Sequence, residues 1–186
     1  MKRKSFVKMQ CPVARSLERI GEWWSILIIR DALHGLTRFD QFEESLGIAP
    51  NMLTRRLGAL VKAGVLEKHR YSERPPRYEY VLTERGRDFK PVLMAMQAWG
   101  NKHFAPEGAS VLLVHAKTGT PADPVMVDRK TGRLLTGPEY VIAPGPAAGK
   151  SIRRKLAASP WGRVHAVDRP DPPSDTRVAG KTGARS

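Results

Sequence analysis

Cysteine is almost absent from this sequence, since Cys11 is the only thiol among its 186 residues. A single cysteine excludes an intramolecular disulfide and any zinc site built from several cysteines of one chain. Long apolar runs are also missing, because no stretch reaches the length of a membrane-spanning helix, and residues 1–10 lack the apolar segment of a signal peptide. We therefore expect a cytoplasmic protein without membrane contact.

Acidic residues are the second deficit. The chain has 32 Lys and Arg against 18 Asp and Glu, which gives a net charge of +14 and a pI near 10.4. Such a balance favours polyanionic partners, either nucleic acid or an acidic membrane surface. The length suits one domain, or one domain with an appendage. A domain of this size can bury a core that is stable without disulfides or structural metals.

The stretch from residue 47 to 70 carries the strongest pattern. Leu53, Leu57, Leu60 and Val61 recur at helical spacing, which predicts a helix that begins at Pro50 and stops near Gly64. Polar and cationic residues lie on the other face or its flanks, where they suit base edges and phosphates: Asn51, Met52, Thr54, Arg55 and Lys62. A solvated amphipathic helix is the plainer interpretation when such a helix stands alone.

The neighbouring segments favour DNA recognition. Residues 65–71 and 77–83 have strand character and flank the turn SERPP, which predicts a basic hairpin. A short helix with Phe39, Phe42 and Leu46 on one face precedes the Pro50 helix, and we expect Thr37 to cap it with Asp40 three residues on. The predicted fold class is a winged helix-turn-helix, mainly α with a β-hairpin wing (α+β), plus a small C-terminal β-hairpin extension.

Three further helices complete the predicted domain at residues 11–104. One runs from Cys11 and Pro12 to Ile20, and a second, apolar on nearly all sides, covers residues 22–33 and is expected to be buried. A third runs from Thr83 to about Phe104, with Pro91 as a kink or close to its start. Its apolar stripe exceeds what one small domain covers, which suggests a homodimer and a palindromic operator.

The rest of the chain is less informative. Residues 1–10 form a basic arm, residues 105–160 are expected to form small hairpins, and residues 161–186 have the composition of a disordered tail.

The stretch from Gly145 to Ser151 imitates a phosphate-binding loop, but only three residues separate Gly145 from Gly149, and the motif needs four. We interpret it as a basic turn whose cations suit nonspecific DNA contact, namely Lys150, Arg153, Arg154 and Lys155. His115 fits an ordinary strand histidine.

Five motifs in order give the chain a family resemblance: CPV at 11–13, GEWWSILIIRDALHGLTRF at 21–39, GIAPNMLTRRLGALVKAGVLEK at 47–68, PPRYEYVLTERG at 75–86, and Trp99-Gly100. Residues 11–103 closely resemble the HxlR-type winged-helix transcriptional regulators, relatives of the MarR group. The resemblance implies a homodimer that binds double-stranded DNA, with the Pro50 helix in the major groove and the hairpin near Arg74 and Arg77 beside the backbone or minor groove. Some extended members carry cysteines in comparable hairpins, where this chain has Thr118, Asp128 and Thr131, so no metal is expected.

The predicted site has two sets of residues. Asn51, Met52, Thr54 and Arg55 are expected to face bases. Basic residues expected at phosphates or the wing are Arg38, Arg56, Lys62, Arg74 and Arg77.

Two questions stay open at the sequence level. Cys11 is either a sensor of oxidants or electrophiles, as in part of the family, or an inert buried thiol. A small-molecule effector is the other regulatory option. No catalytic constellation and no cofactor motif is present, so we predict a regulator and no enzyme. The alternative is a winged-helix module for protein contacts without specific DNA binding.

Overall fold

The computed structural model of the protein describes residues 5–136 and 139–159. The predicted tail at 161–186 and the first four residues of the basic arm lie outside this part. Contacts divide the chain into two compact units, one up to Gly137 and one from Pro138 onward. Residues 105–136 thus belong to the same unit as the winged helix. The domain boundaries predicted from the sequence, after residues 104 and 160, stay a prediction.

Within the described residues the chain forms seven helices and one hairpin. In chain order they are α1 (Pro12–Ile20), α2 (Trp23–Leu33), α3 (Phe39–Leu46), α4 (Pro50–Lys62), β1 (Leu66–Glu73), β2 (Pro76–Leu82), α5 (Glu84–Arg87), α6 (Lys90–Phe104) and α7 (Lys150–Ala157). This order confirms the predicted winged helix-turn-helix fold. The structure also confirms Pro12 and Pro50 in the first turns of their helices, where a missing N–H costs no hydrogen bond.

One apolar core joins α2, α3, α4 and the hairpin. Its fully buried members come from all four elements: Ile28 and Ile29 of α2, Phe42 of α3, Leu53, Leu57 and Leu60 of α4, and Leu66 of β1. The three leucines of α4 recur at positions i, i+4 and i+7, so one stripe of this helix is buried and its opposite face is left to solvent. The prediction that α2 is buried is only partly right, because Trp23 is 76% exposed.

A tight turn sets the angle between α3 and α4. Gly47 ends α3 with φ +58°, a conformation that glycine adopts without strain, and Ile48 is buried in the core. The predicted cap of α3 is wrong. Gln41 Oε1 accepts hydrogen bonds from the backbone N–H of Thr37 at 3.0 Å and of Arg38 at 2.9 Å, so the Gln41 side chain closes the first turn instead of Thr37.

The wing is an antiparallel hairpin that is also tied to the start of α3. Leu66 pairs with Leu82 and His69 with Glu79, and the register shifts between Arg70 and Ser72. The backbone N–H of Tyr80 donates to the Thr37 carbonyl at 2.7 Å, next to a bridge between Arg38 and Glu79. The wing is therefore fixed at its base to the helix-turn-helix.

The single helix predicted from Thr83 to Phe104 is two helices. Thr83 does begin the first, since its Oγ1 accepts from the Gly86 N–H at 3.1 Å. Pro91 explains the break, because a continuous helix would need its missing N–H to bond to the Arg87 carbonyl and would press its ring against that group. Pro91 instead lies in the first turn of α6.

Residues 114–121 and 127–134 form two turns with the same hydrogen bonds, in place of the predicted strands. In the first turn, the backbone N–H of His115 donates to the Thr120 carbonyl, and that of Gly119 donates to the His115 carbonyl. In the second turn, the backbone N–H of Asp128 donates to the Arg133 carbonyl, and that of Gly132 donates to the Asp128 carbonyl. Single bridges, Val114 with Pro121 and Val127 with Leu134, close them. Both turns contain Val-x-x-Lys-Thr-Gly. The shared motif thus forms the same turn twice, and each pair of predicted strands is reduced to a single bridge.

Residues 139–159 of the second unit contain α7. The segment interpreted as a basic turn is an eight-residue helix with Gly149 as its N-cap, so that interpretation is wrong. Ile152 and Leu156, four positions apart, are partly buried, and the basic side chains of the helix are exposed. No strand forms at residues 140–143, although their composition suggested one.

Candidate nucleic-acid interface

The solvent face of α4 carries three of the four residues predicted to face bases. Asn51, Thr54 and Arg55 are exposed and lie within one turn of each other, opposite the buried leucines. Gly58 and Ala59 follow on the exposed side, and a Cβ added at Gly58 would meet nothing within 4 Å. An amide, a hydroxyl and a guanidinium thus stand beside a smooth stretch of helix that another surface can approach closely.

Met52 and Arg56 do not fit the roles predicted for them. Met52 is partly buried and packs against the core, so only part of its side chain is open to solvent. Arg56 is only 16% exposed, and its Nη2 donates to Glu22 Oε2 at 3.0 Å, in an ion pair that links α4 to the N-cap of α2. Its Nε is buried without a partner in the structure. Arg56 therefore acts within the fold, and the predicted phosphate contact of Arg56 is wrong.

The remaining basic residues of the prediction lie on exposed surface. Lys62 is in the last turn of α4, and Arg74 and Arg77 lie at and beside the turn of the wing. Arg70, in contrast, is used by the wing itself, because its Nε and Nη2 donate to the carbonyls of Ser72 and Glu73. The structure keeps Lys62, Arg74 and Arg77 accessible to a polyanion.

Arg38 is only partly available. Its Nη2 lies 2.7 Å from Asp40 Oδ2, and its guanidinium stands 5.7 Å from the centre of the Tyr71 ring. Desolvation alone would raise the pKa of the Asp40 carboxyl, but the hydrogen bond and charge of Arg38 outweigh it, so that pKa lies below its ordinary value. Asp40 thus already compensates the charge of Arg38, whereas no carboxylate of the described residues forms an ion pair with Arg74 or Arg77.

Cys11 occupies the N-cap position of α1 and is partly exposed. The position agrees with the sequence prediction of a thiol at a helix N-terminus.

Two buried polar contacts of the fold were not predicted. Besides the pair of Glu22 with Arg56, the buried Asp31 accepts from Ser45 Oγ at 2.8 Å and from Arg30 Nε at 2.8 Å. The pairs Glu22 with Arg56 and Asp31 with Ser45 gave no sequence signal, because each joins two different helices whose packing angle must be known first.

Comparison with known proteins identifies the family. The model of the HxlR-like helix-turn-helix family matches residues 19–108. An uncharacterised HTH-type transcriptional regulator of Mycobacterium tuberculosis, Rv3095, is 38% identical over 148 residues, which is 79% of this chain and 91% of that protein. The chain belongs to the HxlR-like family.

Solved structures give the same result. A candidate transcription factor of Pseudomonas aeruginosa, PA1374, is 56% identical to this HxlR-like chain with a TM-score of 0.59, over 78% of this chain and 99% of that one. Another candidate transcription factor, PA1607, is 40% identical with a TM-score of 0.66, over 75% of this chain and 97% of that one. The HxlR-like protein is therefore a transcriptional regulator with a winged helix-turn-helix. The shared region extends past the 90 residues of the family match into the segment that follows α6.

The described part of this HxlR-like regulator lacks the features of a membrane span and of a metal centre. No described helix has both the length and the apolar character needed to cross a bilayer. Within residues 5–136 and 139–159, no three or more His, Cys, Asp or Glu side chains gather as metal ligands would. At the positions where the resemblance implied cysteines in extended relatives, Thr131 Oγ1 donates to Asp128 Oδ2 at 2.7 Å, and Thr118 Oγ1 lies 3.2 Å from His115 Nδ1.

Proposed function

We propose that this regulator binds specific DNA sequences as a homodimer, with α4 in the major groove and the wing beside the backbone or minor groove. The observation that carries the proposal is the exposed set Asn51, Thr54 and Arg55 on the second helix of the helix-turn-helix, next to a basic wing. Arg55 suits the O6 and N7 acceptors of guanine, and Asn51 suits adenine. Each such bidentate pair contributes about 1–3 kcal/mol of discrimination between bases.

Lys62, Arg74 and Arg77 are the proposed phosphate contacts. They are exposed, and within the described residues no carboxylate forms an ion pair with them. Phosphate contacts add affinity and salt dependence, because each one releases counterions from DNA, but they carry little sequence information. The net charge of +14 adds to this attraction.

The dimer is proposed from two apolar stripes. On α6, Val92, Met96 and Trp99 recur at helical spacing and are all exposed, and no residue of α6 is buried in the single chain. On α1, Val13 and Leu17 are exposed one turn apart. Exposed apolar surface of this extent is typical of an interface, and a second copy of the same chain covers it symmetrically. A two-fold dimer then favours a palindromic operator with half-sites about one helical turn apart.

Binding curves on operator variants test the division of roles. The operator is first selected from random duplexes, and anisotropy is then measured at two salt concentrations. Arg55→Ala is expected to lose discrimination at one base pair of each half-site, whereas Arg74→Ala weakens all sequences alike and reduces the salt slope by about one. Arg129→Ala is the matched control, since Arg129 is an exposed arginine outside this surface.

Equal behaviour of Arg55→Ala and Arg74→Ala would contradict the proposal. Failure of the wild-type protein to select any sequence, or to bind DNA at low salt, would favour the alternative of a protein-interaction module. The cytoplasm is the compartment where such a regulator would meet its DNA.

A further inference from the structure

A pocket of about 330 Å³ lies where α1, the end of α4 and the junction of α5 and α6 meet. Its floor is apolar and is formed by Ile20, Ile29, Val65 and Phe89. Small-molecule sites in proteins range from about 300 to 1,000 Å³ and combine apolar walls with a few polar groups that orient the ligand. The pocket lies at the small end of that range.

Three arginines from two elements surround this floor. Arg15 and Arg19 come from α1 and Arg85 from α5, all three are exposed, and the lining includes no acidic residue. Within the described part of the chain, no carboxylate forms an ion pair with any of them. Three like charges around an apolar surface repel one another and attract an anion.

Two of the arginines are already oriented by the fold. Arg15 Nε donates to the Met9 carbonyl at 3.0 Å, and Arg85 Nη1 donates to the Ala63 carbonyl at 2.8 Å. Each guanidinium has five N–H donors, so both retain donors for a ligand. Pre-oriented arginines suit a carboxylate, which accepts two parallel hydrogen bonds from one guanidinium.

We propose that this pocket binds a compact amphipathic carboxylate, with its anionic group on Arg19, Arg15 and Arg85 and its apolar part on Ile20 and Phe89. The inference deepens the proposed function, because it gives the regulator an effector class. Val13 and Leu17 face a different side of α1 from Arg15 and Arg19, since residues two apart on a helix point about 200° from each other. The two arginines of α1 and the second subunit can therefore use separate faces of this helix, while Ile20 lies close to the face of Val13 and Leu17.

The pocket is next to the parts of the fold that contact DNA in the proposed complex. Ala63, whose carbonyl Arg85 holds, is the C-cap of α4, and Phe89 is the N-cap of the proposed dimer helix α6. A carboxylate that engages Arg85 shares this guanidinium with the Ala63 carbonyl, so a shift of Arg85 toward the ligand changes the contact at the end of α4. Binding of ligand and DNA should therefore be coupled, and by linkage each changes the affinity of the other by the same factor.

The first experiment uses the full chain without DNA. Octanoate and benzoate are titrated by calorimetry, with octanamide and benzamide as uncharged controls of the same shape. The carboxylates should bind and raise the melting temperature, and the amides should bind at least tenfold more weakly. Arg19→Gln should weaken carboxylate binding about tenfold, as expected for one charge-assisted hydrogen bond, whereas Arg129→Gln should leave it unchanged. Equal affinity for acids and amides, no binding of either acid, or an unaffected Arg19→Gln variant overturns the proposal.

A second variant fills the pocket and keeps all three arginines. Ser16 lies on the rim and is exposed, so Ser16→Trp should abolish octanoate binding without loss of folding. Persistence of octanoate binding in this variant would mean that the anion binds elsewhere and would overturn the proposal. Because these measurements contain no DNA, they succeed or fail independently of operator recognition, which the anisotropy experiment above tests separately.

Discussion

Arg56 and Glu22 form an ion pair in which Nη2 and Oε2 are 3.0 Å apart, and the pair joins the helix proposed to read DNA to the start of α2. Arg55, one residue earlier, is exposed. Two adjacent arginines thus have opposite tasks, because successive residues of a helix point about 100° apart. One supports the position of α4, and the other is left free for a ligand.

Glu22→Gln should lower the free energy of unfolding by about 1–3 kcal/mol, because it leaves the largely buried Arg56 without its counter-charge. Urea denaturation followed by circular dichroism measures the loss. Glu22→Gln combined with Arg56→Leu should recover part of it, since an apolar side chain needs no partner there. Glu44→Gln, an exposed carboxylate of α3, is the control and should change stability by less than about 0.5 kcal/mol. A control as damaging as Glu22→Gln would argue against this role of the pair.

Thr131→Val should loosen the turn at residues 127–134 and leave the turn at 114–121 intact. The substitution keeps the shape of the side chain but removes the 2.7 Å hydrogen bond to Asp128, whose net contribution is about 0.5–1.5 kcal/mol. Amide hydrogen exchange at Gly132, which donates to the Asp128 carbonyl at 2.7 Å, should become faster. Gly119 in the matching turn is the internal control, and equal acceleration at both glycines would contradict independent turns.

Trp99→Lys should weaken the proposed dimer. Trp99 is 59% exposed in the single chain and makes an edge-on contact with Phe104, 4.8 Å between ring centres, so it presents a large apolar surface for a partner. Sedimentation equilibrium should give a dimer for the wild type and a dissociation constant at least about tenfold higher for the variant. Tyr140→Lys, outside the first compact unit, is the control. A monomeric wild type at micromolar concentration would refute the dimer.

The role of Cys11 as a redox sensor stays a prediction. The thiol is partly exposed at the N-cap of α1, where a reagent can reach it. We expect its rate of reaction with a disulfide reagent at neutral pH to exceed that of free cysteine, and peroxide or quinone to change DNA affinity in the wild type and not in Cys11→Ser. Reactivity no greater than that of free cysteine, with unchanged DNA binding, would leave Cys11 as a structural residue.

The sequence by itself determined the architecture of the winged helix and the main face of its candidate site. Leu53, Leu57 and Leu60 could only be buried together, and this fixed Asn51 and Arg55 on the outside, because helical periodicity is a local property. Proline and glycine signals located the ends of α1 and α4 for the same reason.

The tertiary structure alone decided which polar residues are free. Arg56 and Met52 lie at the border of the buried stripe, where the periodicity of one helix does not predict whether a side chain is exposed. Their exposure depends on Glu22, which pairs with Arg56, and on the core against which Met52 packs. The pocket with Arg15, Arg19 and Arg85 likewise unites residues up to 74 positions apart, from Arg15 to Phe89. Long-range contacts depend on the angles between helices, and those angles follow from packing of the whole core, which no local pattern encodes.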